Sequence, residues 1–173
     1  MVELATLQAV SYIMGSLGVF VAAVYYVSTL RNNQRTQQLQ LETRQAQLFM
    51  QIYNQSHNDP TFIEAIQRIY EIGKIGSYSE WQEVNHDDGN RKAINRVGMF
   101  YEGLGVLVKE GYVSIRLVAL LMTGMTRNWW KNIYMSHVSD TRVRMSFPRF
   151  MSESEYLYDE LMKYTKEHPE LAT

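Results

Sequence analysis

Glu102 is the residue whose setting asks most for chemistry. It follows a core tyrosine in the run Phe100-Tyr101-Glu102-Gly103-Leu104, on an otherwise apolar stretch. Burying an ionised carboxylate alone is prohibitive, so it needs a partner, and Arg142 and Arg144 are the candidates, with Arg127 as a third. Two readings follow: a buried Glu–Arg clamp holding helices together, or an acid that binds a ligand or handles a proton in a pocket of the bundle. The clamp is the preferred reading.

A second cluster lies between Arg116 and Arg149, where Arg116, Arg127, Lys131, Arg142, Arg144 and Arg149 face only Asp140, a local charge of +5. The segment Glu153 to Glu170 carries -4, so mutual neutralisation within one domain is the preferred explanation. The alternative is a patch for anionic headgroups. There Arg127, Lys131 and Arg149 would meet phosphates, and Trp129 and Trp130 would anchor in the interface, with Phe147 and Phe150 beside them. Each basic residue at such a surface contributes about 1 kcal/mol.

The other chemistries lack their residues. The chain of 173 residues has no cysteine, which excludes thiolate metal sites, disulfide scaffolds and cysteine nucleophiles. Its four histidines, at 57, 86, 137 and 168, form neither an H-x3-H pair nor an HExxH motif. His86-Asp87-Asp88 reads as a solvated loop rather than a cation site. Gly103-x-Gly105 lacks a third glycine and a preceding strand, so it is no dinucleotide fingerprint; with Gly98 these glycines would let another helix approach. With 17 Lys+Arg against 18 Asp+Glu, a nucleic-acid partner is not expected. No cofactor and no catalytic or metal residue is assigned, and an enzyme is not expected.

The elements that must carry these residues begin with a charge-free run from Leu4 to Leu30. A bilayer core of about 30 Å needs roughly 20 apolar residues in a helix, and residues 10–30 supply them, with Tyr12 near one end and Tyr25 and Tyr26 near the other. A cleaved signal peptide would want a basic leader, whereas the only charge before the run is Glu3. Arg31, Arg35 and Arg44 follow the run and no Lys or Arg precedes it. The positive-inside rule then sets residues 1–9 outside and the C-terminal part in the cytoplasm. Ser11, Gly15, Gly18 and Ala22 share one face, on which another membrane helix, of the same chain or of a larger complex, could pack closely.

Beyond the span, residues 31–57 form a Gln-rich stalk whose far half, with Leu48, Phe49, Ile52 and Tyr53, packs on the domain that follows. Residues 58–173 read as a compact bundle of four to six helices. Asp59-Pro60 opens a helix that ends near Gly73 or Gly76. Ser79-Glu80-Trp81-Gln82 reads as a capping box, and His86 to Gly89 as a loop. Asn90 to Glu110 shows the strongest three/four periodicity and stops at Gly111. Ser114 caps a short helix, Ile115 to Met122, before Gly124; another runs from Thr126 to Val138. The stretch with Arg142, Arg144 and Arg149 reads as irregular. Ser152 and Glu155 read as a second capping box, opening a last helix that stops before Pro169. No stretch alternates with period two, so the fold is all-α.

The order of a span, an Arg/Gln/Leu-rich helix, the run Phe100-Tyr101-Glu102-Gly103-Leu104-Gly105, a Trp pair and a closing helix with Glu155-Tyr156-Leu157-Tyr158 resembles a widespread group of small single-span microbial membrane proteins of unknown function. In that group an FYE-x-hydrophobic-G helix precedes a Trp-containing one. The resemblance implies the layout and no activity, cofactor or catalytic residue. The expected function is therefore a membrane-anchored, non-catalytic helical interaction protein, partnered by lipid and by membrane subunits or itself. A ligand sensor or enzyme around Glu102 and a headgroup-binding module are the alternatives.

Overall fold

The computed structural model describes residues 2–171, except the side chains of Val2 and Ala5. Met1 of the 1–9 segment and the last two residues of the bundle lie outside the described residues. Every regular element among the described residues is helical. The chain divides into two compact units, residues 1–44 and 45–173.

Helix α1 (Val2–His57) opens the chain. With no Gly or Pro after Gly18, nothing in the sequence interrupts its hydrogen-bond ladder. In the first unit its side chains are almost uniformly exposed. Leu17, Val19, Phe20 and Val21 each leave more than half their surface uncovered. One stretch among the described residues is long and apolar enough to cross a membrane, and it lies in this helix with none of its apolar window buried.

The second unit begins on the last turns of α1. From Gln45 onward its side chains find a core: Phe49 is fully buried, and Leu48 and Tyr53 pack beside it. Asn58-Asp59 then breaks the ladder. Asp59 caps α2 (Pro60–Ile72), accepting from Thr61 N at 3.0 Å, with Pro60 at the first position. Gly73, at φ +71°, ends that helix in a conformation that costs glycine little.

Helix α3 (Tyr78–His86) starts two residues earlier than the expected box. Ser77 is its cap, accepting from Glu80 N, and the Glu80 carboxylate reaches back to Gly76 N at 2.7 Å. The expected loop from His86 to Gly89 shrinks to Asp87, which caps α4 (Asp88–Lys109) through Asn90 N. Helix α4 is the hub, touching α2, α3 and α7. Its stripe of Ile94, Val97, Tyr101 and Leu104 is at most 2% exposed.

Two contacts orient α4 against the end of α1. Gln45 Nε2 donates to Gly111 O at 2.6 Å, and Arg96 pairs with Asp59 at 2.8 Å.

The expected break at Gly124 does not occur. Helix α5 (Ile115–Trp129) runs through it, capped by Ser114. Gly124 faces open space, so no packing demand ends the helix there, and the buried stripe continues through Met122, Thr126 and Trp129. The helix then widens into one π-helical turn, Trp130–Tyr134, closed by Met135 N donating to Trp130 O at 2.9 Å. The wider turn rotates successive side chains less than an α turn, and Trp129 and Trp130 are both 2% exposed. The supposedly irregular basic stretch contains a short helix, α6 (Val138–Arg144). Helix α7 (Ser152–Glu167) closes the unit before Pro169.

Candidate functional site

Glu102 faces the first turn of α7. Its two carboxylate oxygens accept backbone N–H groups from Glu153 at 3.3 Å and Ser154 at 2.9 Å. These are orphan donors of a helix N-terminus, where a negative charge is also favoured by the dipole. The expected clamp with Arg142 or Arg144 is therefore not formed. Arg142 instead pairs with Glu155 at 2.8 Å and donates Nε to Phe150 O at 2.8 Å, while Arg144 pairs with Asp140 one turn back. The physical reason is reach: α7 brings peptide N–H groups to Glu102 before any guanidinium arrives. Half-exposed, the carboxylate does not require a full counter-ion.

The second expected capping box fails for the same reason. Met151, not Ser152, occupies the cap position of α7, in a left-handed conformation (φ +54°) with no side-chain cap of its own. The Ser152 hydroxyl turns to Glu153, and Glu155 is drawn off by Arg142. Glu102, about fifty residues earlier, is the cap. Gly105 makes the approach possible: a Cβ there would lie 2.1 Å from Glu153 O. Gly98 faces the end of the Met151 side chain, and Gly103 faces open space, so only Gly105 meets backbone as the glycine spacing suggested.

Around this cap lies an open groove of about 380 Å³. Asn95, Gly98, Met99 and Glu102 form its α4 wall, and Tyr134 comes from the π-helical turn. Phe147, Arg149, Phe150 and Met151 close it from the segment between α6 and α7. The Tyr134 and Phe150 rings meet edge to face, 5.6 Å apart at 75°, and Phe147 lies 6.3 Å from Phe150 at 55°. Arg142 fixes this wall by holding Phe150 O and Glu155 together. Arg149 projects from the rim, its side chain 80% exposed, with Glu153 3.5 Å away.

The electrostatics are local. Lys109 beside Glu153, at 2.9 Å, holds that carboxyl below its ordinary range. Burial pushes the Tyr134 hydroxyl up, and the nearby Glu102 charge pushes it further. His137, next to the π-helical turn, is 1% exposed. Burial drives its pKa down, and the ring sits between Ile133 O and the Thr141 hydroxyl.

The headgroup set is separated by the fold. Trp129 and Trp130 are core residues, Trp129 stacked on Tyr101 at 5.8 Å and Trp130 against Tyr158, so neither reaches an interface. Arg127 is half-buried, while Lys131 and Arg149 are exposed. In the first unit, Ser11, Gly15, Gly18 and Ala22 are all exposed, and nothing lies within 4 Å of a Cβ placed on either glycine. Among the described residues, no three His, Asp or Glu side chains gather to hold a metal. Asp87 is engaged by Arg68, and Asp88 by Lys92 and Arg91.

Sequence reasoning missed Asn95, Met99, Tyr134 and Met151 as groove residues, and placed Phe147, Arg149 and Phe150 in a headgroup patch instead. Nothing in their spacing marks them, because the groove is made by a π-helical turn and a left-handed methionine, neither of which has a residue signature here. Neither a curated protein nor a solved structure matches the chain. One family model does match, over residues 13–161, which takes in most of α1 and the bundle as far as the middle of α7. The chain thus belongs to the family described as a domain of unknown function, DUF4760.

Proposed function

We propose that this protein is a single-span, membrane-anchored, non-catalytic interaction protein, either a self-associating scaffold or an accessory subunit of a larger membrane complex. The observation that carries this reading is the apolar part of α1, whose Leu17, Val19, Phe20 and Val21 each leave more than half their surface exposed. A soluble protein rarely exposes a contiguous apolar surface of more than a few hundred Å², and lipid removes that cost. The arginines at 31, 35 and 44 favour the bundle on the cytoplasmic side.

Ser11, Gly15, Gly18 and Ala22 supply the face on which a second helix would pack. Replacing Gly15 and Gly18 by leucine should abolish or weaken chemical crosslinking of the full chain in native membranes. An unchanged crosslinking pattern would assign association to the bundle instead. The groove beside Glu102 supports a second reading, in which the bundle also binds a small molecule. It opens to solvent, and its one acid is not sealed in a salt bridge.

A further inference from the structure

The geometry points to a small zwitterion, an organic ammonium carrying an anionic group, as the ligand of the groove between α4 and the α6–α7 segment. This rests on the ligand-binding reading above and is independent of the membrane anchor.

Two aromatic rings with accessible surface, Phe147 and Phe150, stand at 55° to each other on one side of the groove, with the buried Tyr134 ring behind Phe150. Ring faces attract a cation held within about 6 Å, and most strongly one that carries little hydration, such as an alkylated ammonium. Glu102 adds a full negative charge on the same groove. Its oxygens accept one N–H each from α7, which leaves about half of a carboxylate's four acceptor positions free.

Arg149 stands at the rim with its charge opposite in sign to that of Glu102. At 3.5 Å its contact with Glu153 is long, so its guanidinium keeps donors for an incoming anion. A bare cation would meet Arg149 unfavourably, and a bare anion would meet Glu102. A molecule with both charges matches both. The volume, about 380 Å³, falls in the small-molecule range of roughly 300–1,000 Å³. The Met99 and Met151 thioethers can adjust to its apolar part.

The same chemistry exists in a dissolved metabolite and in a phospholipid headgroup, so the test separates them. The full chain in maltoside micelles is titrated calorimetrically with phosphocholine, choline chloride and inorganic phosphate. Saturable phosphocholine binding is expected, with choline and phosphate each at least about tenfold weaker, the loss of one charged contact. Phe147→Ala and Arg149→Ala alter exposed side chains, and each should weaken phosphocholine binding about threefold or more. Three results would overturn the assignment: no saturable phosphocholine binding by a chain that melts cooperatively, phosphate binding as tightly as phosphocholine, or both variants binding like the parent.

The source follows from repeating the titration in nanodiscs. Weaker apparent binding in phosphocholine lipid than in phosphoglycerol lipid means that headgroups fill the groove; equal binding means that a dissolved molecule does. Either result upholds the ligand class. Failure of the anchor reading would show separately, as full-length protein left in the supernatant with its titration unaltered.

Discussion

Glu102 reaches across to cap a helix that lacks a cap of its own, which makes its contribution measurable. Glu102→Ala removes the acceptor for two N–H groups and should cost about 1–2 kcal/mol in denaturant unfolding, the loss typical of a good N-cap. Glu102→Gln, which keeps one acceptor oxygen but no charge, should cost less. Arg144→Ala should cost less, under about 1 kcal/mol, since its contacts, with Asp140 one turn away and with the Tyr78 ring 5.0 Å away, are made by an exposed side chain. If Glu102→Ala and Arg144→Ala destabilise equally, the cap is not what Glu102 does. His137 allows a second test at this scale. Its folded pKa lies below the ordinary 6.5, so the unfolded chain binds a proton more readily. Stability held above pH 6.5 is then lost progressively as pH falls below 6.5, toward the folded value. A melting series from pH 7.5 to 5 should show this decline, and His137→Gln should flatten it.

At the scale of elements, caps with distant partners were not legible, and even local ones were read only in part, since Ser77 and Asp87 act three residues away yet were passed over for Ser79 and a loop. Asp59, Ser114 and Gly111 were legible because each acts on residues two to four positions away. So were the apolar stripe of α4 and the all-α class, since a period of 3.6 residues is a local property. The opening of α7 was not legible: Ser152 and Glu155 have the right spacing for a capping box, yet Arg142 claims Glu155 and Glu102 arrives from another helix. The break expected at Gly124 overweighted glycine's propensity against an apolar face that wanted to continue. For the groove, the sequence pointed to Glu102 alone; Phe147 and Phe150 were expected in a headgroup patch, and nothing announced their meeting with Tyr134. Gly105 tests the helix contact itself. Gly105→Ala puts a methyl into the backbone of Glu153 and should destabilise by about 3 kcal/mol, while Gly103→Ala, facing open space, should be neutral or slightly stabilising. Comparing the two by thermal unfolding separates packing from helix propensity.

At the scale of the whole molecule, the proposed topology makes a prediction that no single residue does. In sealed inside-out vesicles a protease should remove the bundle, and in right-side-out vesicles it should spare it, because the arginines at 31, 35 and 44 hold that flank inside. Reversal of the two patterns would place the bundle outside. The dependence of α7 on Glu102 and Gly105 also bears on biosynthesis. Helix α7 leaves the ribosome after α4, and its opening turn has no side-chain cap of its own, so it waits for a template that is already made. A nascent or prematurely terminated polypeptide that stops near residue 150 would leave the long hub helix with a greasy flank uncovered, a form that quality-control proteases and chaperones are built to notice.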